Sequence, residues 1–235
     1  MSSTVKIILQ ARLNSSRLPA KAMLDICGMP SVAVIAKRAG NLGDKVTVAT
    51  STDPCDDLLC KVLDRYDINY VRGSLDDVMG RFLMASEELD DADTIVRLTA
   101  DNLFQDNDYI RKSLAEYNRL GQEWLGCGGP NIDLPYGIGV EAFNAGKFRQ
   151  YAREFTDAYA REHVTPPFYR DKFIPVPCRE NLTGLPSGFG SLRCTMDTFE
   201  DYCRVARAFN AAGGNPLQVS WETLCEILKE QENDL

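Results

Sequence analysis

The chain has 235 residues, 26 of them Lys or Arg and 34 Asp or Glu, for a formal net charge of −8 at pH 7. With 44% apolar and 26% charged residues it has the balance of a folded globular protein, which excludes disorder, collagen-like repeats and a coiled coil. The acidic balance argues against a general nucleic-acid binder, which carries a basic face. It leaves room for a small anionic ligand held by a few local cations. No apolar run approaches the ~20 residues of a membrane-spanning helix, so no membrane partner is expected. The first apolar stretch lacks a secretory cleavage pattern. The eight cysteines are scattered without a CxxC pair, which fits mostly buried free thiols in a reducing cytoplasm better than zinc or disulfide frameworks. His163 is the single histidine, which excludes a multi-histidine metal site.

In chain order, VKIILQA (5–11) reads as a continuous apolar strand, as a parallel strand covered on both faces should. Residues 54–66 repeat apolar side chains at helical spacing behind Asp53 and Pro54. Strands follow at 45–50, 69–72 and 94–99 around that helix and a second one at 76–89, where Ser74 and Asp77 have capping-box spacing. Strand and helix alternating at these lengths imply right-handed crossovers and a three-layer α/β/α sandwich on a parallel sheet. A helix at 107–120 leads to the Gly- and Pro-rich loop GCGGPNIDLPYGIG (126–139), with a short strand after it. Next come a helix at 145–154, a Pro-punctuated region at 165–190 and a strand SLRCTMD (191–197). A capped helix at 198–214 and a last helix WETLCEILKEQE close the chain. The whole reads as one domain, 1–235, with a subregion near 125–190.

Ligands of open parallel sheets bind at the carboxyl ends of the strands. The loop ARLNSSRLPAK (11–21) follows the first strand and supplies Arg12, Arg17 and Lys21 with Ser15 and Ser16 between them. Guanidinium forks, an ammonium and backbone amides can wrap a triphosphate, or such a loop can simply be a solvated basic segment. It is no Walker loop, and GxGxxG is absent. Asp101 comes after the strand at 94–99, and Asp197 after the strand residues SLRCT of the 191–197 segment. Two carboxylates meeting over the sheet edge can hold Mg²⁺, or each can cap the segment that follows it.

These segments resemble the cytidylyltransferases that make CMP-activated acidic sugars, the CMP-KDO and CMP-sialate synthetase superfamily, and within it the SpsF-like branch named for spore-coat polysaccharide synthesis. ARLNSSRLPAK resembles its N-terminal signature, VRGSLDDVMGRF (71–82) its RGSxxDVLxRF segment and RLTADN (97–102) its RxTGDCP. LPYGIGVEAF (134–143), REHVTPPFY (161–169) and RCTMDTFED (193–201) resemble PxGxDVExF, REHVTPYIY and RLTVDTPED. The segments run in order over about the first 200 residues. The resemblance implies a mostly parallel mixed sheet like that of the nucleotide-diphospho-sugar transferases, and a homodimer with the 125–190 subregion serving acceptor binding or dimerisation. It places Arg12, Ser15, Arg17 and Lys21 on the CTP triphosphate, and Arg72, Asp77 and Arg81 against cytosine and ribose. Glu141, Arg161, Glu162 and His163 fall on the acceptor side, and Asp101 and Asp197 on the paired magnesium ligands. Ala100, the run Asn102-Leu103-Phe104, and Gly139 depart from the family pattern on the acceptor side.

The reaction implied is cytidylyl transfer: an acceptor oxygen attacks the α-phosphorus of CTP and pyrophosphate leaves in line. Lys21, Arg12 and Asp101 are the catalytic candidates, working by positioning and charge neutralisation. Alternatives are a glycosyltransferase of similar fold, which needs a DxD motif, and an idle nucleotide-binding module. The DxD candidates are Asp91-Ala92-Asp93 and Asp106-Asn107-Asp108.

Overall fold

A computed structural model describes residues 3–40, 46–170 and 175–233. The first strand, β1 (Val5–Gln10), buries Ile7, Ile8 and Leu9 completely, so both of its faces are covered. A short hairpin of β2 (Asp25–Ile26) and β3 (Met29–Pro30) follows, then α1 (Ser31–Ala39). The main sheet continues through β4 (Thr47–Ser51), α2 (Asp57–Arg65), β5 (Asn69–Gly73), α3 (Val78–Ala85) and β6 (Thr94–Thr99). After α4 (Asn107–Leu120) come β7 (Trp124–Cys127), β8 (Val140–Asn144) and α5 (Ala145–Glu154). Short helices α6 (Ala158–His163), α7 (Pro166–Tyr169) and α8 (Arg179–Leu182) precede α9 (Phe199–Ala211) and α10 (Trp221–Asn233).

The six strands lie in the order β5-β4-β1-β6-β8-β7. β5, β4, β1 and β6 are parallel, and β8 runs against both β6 and β7. The sheet is therefore mixed and mostly parallel, with helices on both faces. Alternate residues of each strand feed different cores. Ile7, Leu9, Val96 and Leu98 pack toward α1, α2, α4, α9 and α10. Ile8, Ile95 and Phe143 pack toward α3, α5, α6 and α7. On that second face the same alternation also presents polar side chains, because Gln10, Arg97 and Glu141 each lie two residues from Ile8, Ile95 and Phe143 on the same strand.

Some expectations need correction. Residues 191–197 form no strand of the sheet; they run extended and make isolated bridges at Arg193 to Tyr136 and Thr195 to Asn102. Gly137 allows this close approach: a Cβ there would lie 2.4 Å from the Thr195 nitrogen, and its φ of +103° suits glycine. Ser74 does not cap the second helix. Asp77 does, accepting from the Gly80 amide at 2.8 Å, so α3 begins at Val78. β7 begins ahead of the expected loop and takes in its first two residues, and α1, rich in β-branched residues, had no expectation at all. Lys45, at the start of the expected strand 45–50, lies outside the described residues, as do 171–174 of the Pro-punctuated region. The eight cysteines are free, and half of them are buried (Cys60, Cys127, Cys194 and Cys225). Among the described residues no helix is long and apolar enough to cross a membrane.

Candidate active site

From β1 the chain steps outward to β4 and β5, then returns to place β6 on the other side of β1. The crevice at such a reversal is where open α/β sheets bind ligands. Gln10 and Thr99 are register partners at the carboxyl ends of these two strands. Beyond Gln10 the chain enters the basic loop, and beyond Thr99 it reaches Asp101.

Buried groups, not the basic ones, shape that loop. The Ala20 amide donates to the Leu13 carbonyl at 2.8 Å and closes it, with Ala20 itself at a φ of +56°. Leu13 and Leu18 are buried beneath it. The Leu13 amide donates to the carboxylate of Asp56 at 2.7 Å, and Asp56 also accepts from the Ser51 amide at 3.2 Å and the Ser51 hydroxyl. Asp56 is fully buried, which links the loop to the end of β4. Sequence reasoning missed it, since within DPCDD it looks like one acid among several.

Lys21 stands at the centre. Its ammonium lies 2.8 Å from Asp101 Oδ2 and 3.7 Å from Asp197 Oδ1, so both carboxylates reach one cation. Arg17 approaches Asp197 Oδ1 at 2.9 Å, and Arg193 approaches its Oδ2 at 2.7 Å. The Thr99 hydroxyl donates to Asp101 Oδ1 at 2.6 Å. Burial alone would raise the Asp101 carboxyl; the Lys21 ammonium and the Thr99 hydroxyl outweigh it and hold the group below the ordinary aspartate range. Asp197 is not the cap of α9. Thr198 and Asp201 form that capping box, and the Asp197 amide donates to Asp201 at 3.0 Å, leaving its own carboxylate for Lys21 and the arginines.

A cleft of about 740 Å³ opens over this centre, within the size range of small-molecule sites. Arg12, Ser15, Arg17 and Lys21 line it from the loop, Asp101 from beyond the end of β6, and Asp197 from the segment ahead of α9. One arm adds Val78, Arg81, Glu162 and His163. The other consists of Gly128, Gly129, Pro130, Tyr136, Gly137 and Gly139. Arg81 is almost fully buried, and its NH1 donates to the Ser74 and Leu75 carbonyls. Its Nε has no partner among the described residues. Burial first, and then the charge of Arg12, lower its pKa.

The remaining expected residues do not line the cleft. Arg72 donates to the carbonyls of Ser51 (2.8 Å) and Asp53 (3.2 Å) and pairs with Asp57 at 2.7 Å. Asp77 caps α3 and pairs with Arg161, which also donates to the Ala152 carbonyl. Glu141 pairs with Arg97 and accepts from the Thr165 hydroxyl at 2.8 Å. Sequence reasoning missed Gln10 and Arg97, which line the floor of the cleft. Their signal was a polar residue inside an otherwise apolar buried strand.

Both DxD candidates have structural work. Asp93 accepts from the Thr4 and Asp90 amides at 2.7 and 2.8 Å, and Asp106 caps α4 while accepting from the Trp221 amide at 3.0 Å. Among the described residues, no group of three or more His, Cys, Asp or Glu is placed to hold a metal ion. The pair Asp101 and Asp197 still suits a hard divalent cation. Magnesium takes one or two carboxylates together with substrate phosphate oxygens, and both carboxylates here already converge on one positive charge.

A family model described as cytidylyltransferase matches residues 6–211. The chain is 28% identical over 238 aligned residues to the spore coat polysaccharide biosynthesis protein SpsF of Bacillus subtilis, covering 95% of this chain and 93% of that protein. Its fold is similar to that of a cytidylyltransferase from Leptospira borgpetersenii, with a TM-score of 0.82 at 23% identity over 99% of this chain and 96% of the other. It is also similar, at a TM-score of 0.63 and 16% identity, to a CMP:2-keto-3-deoxy-manno-octonic acid synthetase complexed with CTP, covering 89% of this chain and 100% of that one. With the family model spanning the sheet, the basic loop, Asp101 and Asp197, the chain belongs to the cytidylyltransferase family of nucleotidyltransferases.

Proposed function

We propose that the protein moves CMP from CTP onto a small anionic acceptor, an acidic sugar or a phosphorylated metabolite, with release of pyrophosphate. The convergence of Asp101 and Asp197 on Lys21, at the mouth of a loop carrying Arg12 and Arg17, is the observation that carries this reading. The spore-coat polysaccharide role of the Bacillus relative supports a place in glycan biosynthesis.

In this reading the triphosphate lies along the basic loop. Arg12, Arg17 and Lys21 offset charge that builds on the departing pyrophosphate. The nucleoside enters the arm of Val78 and Arg81, where the unpartnered Arg81 Nε offers a buried donor. The acceptor approaches from the glycine-lined arm, and in-line displacement requires its attacking oxygen to reach the α-phosphorus on the side away from the pyrophosphate in the basic loop. Asp101 and Asp197 would hold a magnesium ion, which when bound would supply charge neutralisation at the α-phosphate. Thr99 and Arg193 orient those carboxylates. No step needs a covalent protein nucleophile.

The test is pyrophosphate release from CTP across acidic sugars, among them 2-keto-3-deoxy-manno-octonic acid, and sugar phosphates. Release with CTP and one acceptor class, absent in Asp197→Asn, is expected. CTP binding with no release for any acceptor would instead identify an idle nucleotide-binding module.

A further inference from the structure

The floor of the cleft contains a guanidinium that the triphosphate reading does not use. Arg97 projects from β6 onto the face that carries Gln10, and its side chain is 14% exposed. Its Nε donates to Gln10 Oε1 at 3.1 Å, and its NH1 pairs with Glu141, its register partner on β8. Glu141 is held in turn by the Thr165 hydroxyl at 2.8 Å. Two acceptors thus fix the plane of the fork, while the NH2 donors have no partner among the described residues. A guanidinium held from two edges presents the third in a set direction, the arrangement that recognises oxyanions.

A second observation comes from the wall beside it. Gly139 lines the same cleft, and continuing the Arg97–Glu141 pairing by two residues sets it opposite Thr99. Gly137 needs to be glycine because Thr195 abuts it. Gly139 does not: its φ lies outside the left-handed range, and an added Cβ would meet only the Cys127 carbonyl oxygen, at 3.8 Å. Neither backbone strain nor packing therefore requires the missing side chain. A glycine unneeded by the fold, on the wall of a cleft, leaves room there for a ligand to approach closely.

The geometry points to an acceptor subsite between Arg97 and Gly139: Arg97 grips the acceptor's oxyanion, Gln10 and Glu141 aim the guanidinium, and the gap at Gly139 admits the group attached to it. This deepens the cytidylyltransferase reading and rests on it. It also makes Glu141 a positioning residue that touches Arg97 instead of the acceptor.

The experiment uses the full chain with magnesium and saturating CTP, which occupies the basic loop, and titrates pyruvate and inorganic phosphate separately. The melting temperature is read against sodium chloride at matched ionic strength. Wild type is expected to show a saturable rise with at least one probe; the probe that works identifies a carboxylate or a phosphate as the acceptor's anionic group. Arg97→Gln should weaken half-saturation at least about tenfold, the range of a lost charge-assisted hydrogen bond. Gly139→Asp fits the open space and places a carboxylate beside the subsite, so it should weaken anion binding at least as much while keeping the CTP shift. No saturable rise in wild type that binds CTP would overturn the subsite and leave the cytidylyltransferase reading standing, as would saturable binding unchanged in both variants. Failure of CTP itself to stabilise the wild type would remove the reading, and the subsite with it.

Discussion

Lys21 balances two carboxylates that would otherwise repel each other, and it does so with only 14% of its side chain exposed. Its charge is thus felt at reduced dielectric, where preorganised groups act most strongly on a developing charge. Lys21→Ala should lower kcat by roughly 10²–10³, about 3–4 kcal/mol, by analogy with losing one preorganised donor. Arg at this position should rescue poorly, because a planar fork does not replace a compact ammonium. Steady-state kinetics check this, and a loss confined to KM would mean that Lys21 binds ground and transition states equally. Asp101→Asn and Asp197→Asn keep the side-chain volume but remove a hard anionic ligand. Each should abolish pyrophosphate release while circular dichroism and the melting transition report a folded chain. Near wild-type turnover in either would reduce that aspartate to a structural role.

At the scale of elements, the basic loop depends on what lies beneath it. Asp56→Ala leaves the Leu13 and Ser51 amides without their buried acceptor. The expected loss is about 3 kcal/mol, at the level of one to two unsatisfied buried donors, measured by denaturant unfolding. Glu116 performs a comparable task between α4 and α8, accepting from the Cys178 amide at 3.0 Å and from the Asn181 side chain. Its bond to Arg119, working against burial and aided by those two donors, lowers its pKa from 4.5 to about 2. A carboxyl with a depressed folded pKa stabilises fully above its unfolded value and loses that contribution as pH falls toward the folded one. Glu116→Gln should therefore be less stable at neutral pH and lose less stability than wild type between pH 4.5 and 2. Parallel acid-denaturation curves for the two proteins would contradict this. Regular elements were readable because apolar periodicity is local: β1, α4 and α5 lie where the pattern of VKIILQ, NDYIRKSLAEYNRL and AGKFRQYARE puts them. Residues 191–197 form no strand because alternating apolar residues record burial, not pairing; the segment packs instead against Tyr136 and Gly137, more than fifty residues away in the chain. Arg12, Arg17, Lys21 and Asp101 were readable because they follow β1 and β6, whereas Asp197 was picked out on a strand that the structure does not form. Arg72 and Arg161 were placed by motif alone, and their acceptors, the Ser51 carbonyl and Asp77, are tertiary facts.

Across the whole molecule, an acidic chain sets Arg12, Arg17, Lys21, Arg81 and Arg97 around one cleft at a reversal of the sheet, the arrangement on which the proposed nucleotide site rests. The loop itself is blind to the base. In the proposed function discrimination falls to the arm of Val78 and Arg81, where a pocket sized for one pyrimidine would exclude a purine. The most direct test is the melting temperature with magnesium and CTP, compared with magnesium and ATP or GTP. At about 100 times Kd, binding contributes roughly 2.7 kcal/mol, and each kcal/mol moves the midpoint of a chain this long by about 2–4 °C. CTP should therefore raise it by roughly 5–10 °C and the purine nucleotides by clearly less. Lys21→Ala should weaken all of them alike, and Arg72→Ala, outside the cleft, should leave the CTP preference in place. Equal shifts for CTP and ATP in the unmutated protein would contradict the cytidylyl-transfer account.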